Sequence, residues 1–145
     1  MEPSKKLWIL LGGVPLLVLV LIAGYTMLGG GLEAPRAYLT DEGVAFDTAF
    51  LSEPIPINSL YLSEARIVSP GMDSEFRINR KDNGIAISEY RVGWFRLSSG
   101  ERVFVALDSE SSPLYIPTSS GFSLLIDGDS GMKLLSTLKE TGDDA

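Results

Sequence analysis

The chain has 145 residues and a formal net charge of −7, with no cysteine and no histidine. That length bounds it to one domain and a short appendage, and the missing residue types exclude thiolate nucleophiles, disulfides, Ser-His-Asp and Cys-His arrangements and nearly all zinc, copper and haem sites. An acidic chain is repelled by phosphate backbones, which disfavours nucleic acid as a partner.

Residues 1–6 form a short N-terminal tail that includes Lys5 and Lys6. From Leu7 to Leu28 the sequence LWILLGGVPLLVLVLIAGYTML carries no charge. As a helix rising about 1.5 Å per residue, a run of that length reaches about 33 Å and matches a hydrocarbon core of about 30 Å. Trp8 and Tyr25 sit near its ends, where aromatic rings favour the membrane interface. Pro15, just after Gly12 and Gly13, predicts a bend in the first third. The run exceeds the roughly 7–15 apolar residues of a cleaved signal peptide, so 7–28 reads as an uncleaved signal anchor and single-pass transmembrane helix. Lys5 and Lys6 precede it and only Arg36 follows closely. The positive-inside rule then puts the N-terminus in the cytoplasm and the domain on the extracytoplasmic side of the cell membrane. Residues 29–36, opening with Gly29-Gly30-Gly31, read as a linker.

Residues 37–141 read as one mostly β domain with a C-terminal helix. Without Glu2, Lys5 and Lys6, the chain from 33 onward holds 18 carboxylates against 10 cations, a net charge of −8. Ala37–Thr40 and Val44–Asp47 flank Asp41-Glu42-Gly43 as a tight hairpin. Phe50–Ile57 contains Pro54 and Pro56 and is at best an edge strand. Asn58-Ser59 starts a single helical turn, and Ser63–Ser69 reads as a strand ending at Pro70-Gly71. Residues 70–84 read as the longest loop, with short strands at Glu75–Ile78 and Gly84–Ser88.

Tyr90–Leu97 and Glu101–Leu107 form the clearest hairpin, across Ser98-Ser99-Gly100. Apolar groups on both faces predict that it is central and covered, with Trp94 and Phe95 on opposite faces. Gly93 between them predicts a bulge or a close backbone approach. Leu114–Pro117 and Gly121–Ile126 add two strands. Met132, Leu134, Leu135 and Leu138 then fall at helical spacing, with Asp129 or Ser130 as the expected cap. Residues 142–145 are a solvated acidic tail.

The stretch Tyr90-Arg91-Val92-Gly93-Trp94-Phe95-Arg96-Leu97, the following Ser-Ser-Gly-Glu-Arg and Val-Phe-Val-Ala-Leu, and the preceding Arg80-Lys81-Asp82-Asn83-Gly84 resemble bacterial pleckstrin-homology-like (PH-like) domains of membrane-anchored proteins. Leu114–Thr118 and Gly121–Leu125 look like that family's next two strands. The resemblance covers about half the chain. It implies a bent antiparallel β-barrel of about seven strands capped by a C-terminal helix, no enzyme activity and no cofactor. It names no ligand.

Candidate sites are few. Arg77, Arg80 and Lys81 are the densest basic group, with the reading of a lipid head-group or other anionic-ligand clamp set against a loop balanced by Asp73, Glu75 and Asp82. Trp94 is a possible partner contact or a core residue. Asp127-Gly128-Asp129-Ser130-Gly131 opens like a calcium loop, but the twelfth position is Leu138 and coordination fails. Ser130-Gly131-Met132-Lys133 matches Ser-x-x-Lys, the pairing of a small Ser-Lys hydrolase, without the companion motifs of such enzymes. The leading expectation is a non-enzymatic, membrane-anchored module that binds another membrane or membrane-associated protein at the bilayer surface and takes no metal. The expected surface is an open strand edge or the barrel end opposite the helix.

Overall fold

A computed structural model describes residues 14–29, 33–69, 74–108 and 112–143. The chain divides into two units, Met1–Leu32 and Glu33–Ala145.

In the first unit, helix α1 spans Val14–Gly29, 16 residues. At about 1.5 Å per residue it reaches about 24 Å, short of a hydrocarbon core of about 30 Å. No helix among the described residues is long and apolar enough to cross a membrane. The expected transmembrane helix at 7–28 is therefore corrected, and Leu7 to Gly13 of it lie outside the described residues. The signal anchor, the single-pass topology and the placement of the domain outside the cytoplasm are corrected with it. The expected bend near Pro15 involves Gly12 and Gly13, which lie outside the described residues. Residues Leu16 to Ile22 are solvent-exposed.

The second unit is α+β. Strands β1 (Ala37–Thr40) and β2 (Gly43–Phe46) form a two-stranded sheet. The larger sheet holds β3 (Arg66–Ile67), β4 (Ile78–Ile87), β5 (Tyr90–Leu97), β6 (Arg102–Leu107), β7 (Leu114–Pro117) and β8 (Ser123–Ile126), in the order β3-β7-β8-β6-β5-β4. Helix α2 spans Gly128–Asp143. The expected bent antiparallel β-barrel is corrected to an open mixed sheet, because β8 inserts between β6 and β7 and runs parallel to β6. Sequence composition explains that insertion. Every residue of β8 and all but the first of β6 are buried, so these strands need cover on both faces and take the middle of the sheet.

Alternation divides the core between the two faces. Phe104, Ala106, Ile116, Leu124 and Ile126 meet Val44 and Phe46 of the hairpin and Leu134, Leu135 and Leu138 of α2. Phe95, Leu97, Val103, Val105, Tyr115 and Leu125 meet Val68 and Phe76 on the other face. Trp94 packs with the first group and Phe95 with the second, as the alternation predicts.

The expected loop at 70–84 is shorter than its composition suggests. Arg80 through Gly84 belong to the ten-residue strand β4, which bulges between Ile78 and Arg80 and between Lys81 and Asn83. Its residues are mostly exposed, so no apolar period marks it as a strand. Gly84 faces Gly93 across the ladder. A Cβ on Gly93, whose φ is +126°, would lie 2.4 Å from the Asn83 carbonyl oxygen and 2.5 Å from the Gly84 Cα. This is the close backbone approach that Gly93 predicts, and it fixes where β4 crosses β5.

Candidate functional site: a groove between a strand edge and the C-terminal helix

The β1–β2 hairpin turns on Asp41-Glu42, with Thr40 opposite Gly43. The Thr40 hydroxyl stitches this tip, donating to the Gly43 carbonyl at 3.0 Å and accepting the Glu42 N–H at 3.2 Å. A two-residue turn makes Thr40–Gly43 a hydrogen-bonded pair, and such pairs alternate with non-bonded ones. Tyr38 and Arg36 therefore also face the partner strand, and the Asp47 N–H donates to the Arg36 carbonyl at 3.2 Å. Ala37 and Leu39 direct their N–H and C=O groups the other way. The outer side of β2 is occupied, since Val44 and Ile55 exchange backbone bonds of 2.8 and 2.7 Å. The outer side of β1 meets no strand among the described residues.

That free side borders a groove of about 660 Å³. Arg36, Ala37, Tyr38 and Leu39 line one wall, Ser130, Lys133, Leu134 and Thr137 of α2 the other, and Glu33, Ala34 and Asp108 complete it. Arg36 pairs with Glu33 at 3.6 Å, both well exposed. Lys133 makes no ion pair among the described residues.

Helix α2 is held against the sheet by Leu134, Leu135 and Leu138 and by a close approach at Gly131, whose added Cβ would lie 2.9 Å from the Leu114 Cβ. Its cap is Asp127, two or three residues earlier than the expected Asp129 or Ser130: the Asp127 carboxylate accepts the Asp129 N–H at 3.2 Å. Asp127 and Asp108 follow the adjacent C-terminal ends of the parallel strands β8 and β6. Burial pushes the Asp127 carboxyl above the ordinary range, and the hydrogen bond and charge of Asp108 push it further.

The structure separates the basic residues that sequence grouped. Arg80 and Lys81 are successive positions on β4, opposite Arg96 and Phe95, and project to opposite faces. Arg80 and Arg96 share Asp82, each at 3.1 Å. Arg77 precedes the strand, and its carbonyl accepts the Ser98 N–H at 2.8 Å. Trp94 is a packing residue. Its indole N–H donates to the Phe50 carbonyl at 2.9 Å, the Arg102 guanidinium stacks 4.1 Å from its ring centre, and Phe104 and Phe122 contact it edge-on. Ser130 and Lys133 do share the groove, one helical turn apart, with no hydrogen bond between them among the described residues. Leu138, the failed calcium ligand, is buried in the core.

One polar cluster escaped sequence reading. Glu101 accepts hydrogen bonds from the Tyr115 hydroxyl, at 2.8 and 2.9 Å to its two oxygens, and from the buried Ser123 hydroxyl. Arg66 stacks over Tyr115 and Phe76 at 5.2 and 5.1 Å. Burial pushes the Tyr115 hydroxyl pKa up. The three residues lie on different segments with no motif spacing, so only the strand register brings them together. Among the described residues, no group of carboxylates there is fit to hold a metal.

A scan against family models, a search of curated proteins and a search of solved structures each return no match.

Proposed function

We propose that the domain is a non-enzymatic protein-binding module that receives an extended segment of its partner in the groove between β1 and α2. The observation that carries this reading is the free outer side of β1, where Ala37 and Leu39 present backbone donors and acceptors inside a groove of about 660 Å³. Strand addition supplies backbone hydrogen bonds, and the facing helix supplies side-chain selection. The volume falls in the range of about 300–1,000 Å³ typical of ligand sites. The mixed charge of the walls, with Glu33 and Asp108 beside Arg36 and Lys133, suits a polar peptide better than a single small anion. Kinship with PH-like domains belongs to this proposal too. It rests on the segment 80–125, and the β-sheet with its C-terminal helix is compatible with it.

The test is selection of peptides from a displayed random library on the full chain, followed by NMR of the selected peptide with the protein. The Ala37 and Leu39 amides are expected to shift and to gain exchange protection. Ala37→Pro removes one outward N–H without breaking the β1–β2 ladder, and is expected to abolish binding. Selected peptides that leave both amides unmoved would sink the reading.

A further inference from the structure

The outer strand of the large sheet offers a second and chemically different surface. Between Arg77 and Arg102 the chain carries six cations against Asp82, Glu89 and Glu101, although residues 33–145 carry a net charge of −8. Glu101 is occupied by Tyr115 and Ser123, and Asp82 is shared by Arg80 and Arg96. Arg77 and Lys81 make no ion pair among the described residues. The end of β4 near Arg80 is thus locally positive.

The other end of β4 is open in a different sense. β4 is the last strand of the sheet order, and Ile85 and Ile87 are 40% and 45% exposed. The two-residue turn Ser88-Glu89 makes Ile87–Tyr90 a hydrogen-bonded pair, so Gly84 and Ala86 direct their backbone groups outward. The two bulges confine regular pairing to the stretch from Asn83 to Ile87. Bulges and edge cations ordinarily deter a second strand. Here they guard only the Arg80 end, and the cations that repel a basic strand and resist desolvation by a neutral one attract an acidic one.

We infer that the β4 edge takes an extended acidic peptide, with apolar side chains at alternate positions over Ile85 and Ile87 and Asp or Glu at adjacent positions over Lys81 and Arg80. The adjacent acids follow from geometry. Arg80 and Lys81 project to opposite faces, so an added strand meets both only with a carboxylate on each of its own faces. The net negative charge of the domain does not prevent this, because charges beyond about 8–10 Å are largely screened at physiological salt while contacting pairs are not.

The probe is the peptide Val-Thr-Val-Thr-Ser-Ser-Glu-Asp, capped at both ends, with a counterpart ending in Gln-Asn. The two are titrated into the full chain at low and physiological salt. The acidic peptide is expected to bind about three- to tenfold more tightly than its amide counterpart, the range set by two exposed ion pairs, and to weaken with salt. Lys81→Glu is expected to erase that preference. Lys81 is exposed and makes no ion pair among the described residues, and an unchanged melting curve would show the variant folded. Ala37→Pro is expected to leave this binding intact, which separates it from the β1 groove. Equal affinity for both peptides, or a preference that survives Lys81→Glu, would overturn the inference. So would binding of inorganic phosphate or anionic phospholipid vesicles in place of the peptide, which would make the patch a simple anion site.

Discussion

The β1–β2 and β4–β5 hairpins both close on a two-residue turn and both leave an outer strand edge, yet α2 walls the first edge into a groove while the second lies at the margin of the sheet. The difference begins in side chains. β1 pairs with a strand buried at every position, so its hairpin is drawn onto the core and α2 packs beside it. β4 is polar over most of its length, and beyond Ile78, which packs on the core, its pairing to β5, the Asp82–Arg96 ion pair and the Gly84–Gly93 crossing hold it in place. An edge made by core packing depends on apolar contacts distant from it. An edge made by backbone crossing depends on two glycines.

The largest effect tests that second dependence. Gly93→Ala drives a Cβ into the backbone of Asn83 and Gly84 at a positive φ. The clash and the unfavourable φ together are expected to cost about 3–5 kcal/mol, measured by denaturant unfolding. Gly100→Ala is the control. Its φ is +87° but its added Cβ meets nothing, so about 1 kcal/mol is expected. Equal losses at the two positions would show that φ alone matters and that the crossing does not hold β4.

On the groove side, Leu138→Ala removes a side chain that is 2% exposed and lies in the core shared by α2 and the hairpin. A loss of about 2–4 kcal/mol is expected, with the amide signals of Ala37 and Leu39 shifting more than those of Gly84 and Ala86. Uniform shifts at both edges would contradict the claim that the two are held independently.

The Glu101–Tyr115–Ser123 cluster lies beyond both edges and gives a reference. Tyr115→Phe removes the bonds to a carboxylate and is expected to cost about 1–3 kcal/mol. The tyrosine also carries a pH signature. Its folded-state pKa is raised, so the unfolded chain releases its proton first, and stability falls as pH rises from about 10 toward the folded value. Tyr115→Phe should flatten that alkaline limb.

How far sequence reaches follows the same division. The β1–β2 and β5–β6 hairpins, the strands at 114–117 and 123–126 and the C-terminal helix stand out in residue patterns because their buried faces repeat at period 2 or at helical spacing. β4 does not, because an exposed edge strand has no face to conceal. The membrane span is corrected for a different reason: apolar composition from Leu7 to Leu28 states hydrophobicity but not helix length, and no helix among the described residues is long and apolar enough to cross a membrane. Ser130 and Lys133 were legible as a helical pair, but the groove they line depends on β1, ninety residues earlier. The place of β8 between β6 and β7, which opens the barrel into a mixed sheet, leaves no trace in local spacing.

The Asp127 cap sharpens the comparison at the helix that walls the groove. Asp127→Ala loses the bond to the Asp129 N–H, a cost of about 1 kcal/mol. Asp127→Asn keeps a capping oxygen and removes the charge facing Asp108. A carboxyl with a raised folded-state pKa stays protonated in the fold after the unfolded chain has ionised. Its contribution therefore worsens as pH rises from about 4 through the folded value, and persists above it. Asp127→Asn is expected to equal or exceed the parent in stability at neutral pH and to lose that acid-range slope. An Asn variant as unstable as the Ala one would show that the carboxylate charge itself serves the helix.

The smallest effect concerns the tip of the open hairpin. Ser88 has φ +53°, the one non-glycine residue with a positive φ among the described residues. A left-handed conformation costs an L-residue about 1–2 kcal/mol, and glycine relieves it at the expense of a more flexible unfolded chain. Ser88→Gly is therefore expected to gain about 0.5–1 kcal/mol, read as a small rise in the denaturation midpoint. If β4 is held mainly by its crossing with β5, tightening the tip should slow exchange of the Ile85 and Ile87 amides, which face β5. The outward Ala86 amide should exchange as before. Slowing at Ala86 as well would mean that its N–H already has a partner, and that the edge is closed where the acidic peptide is proposed to add.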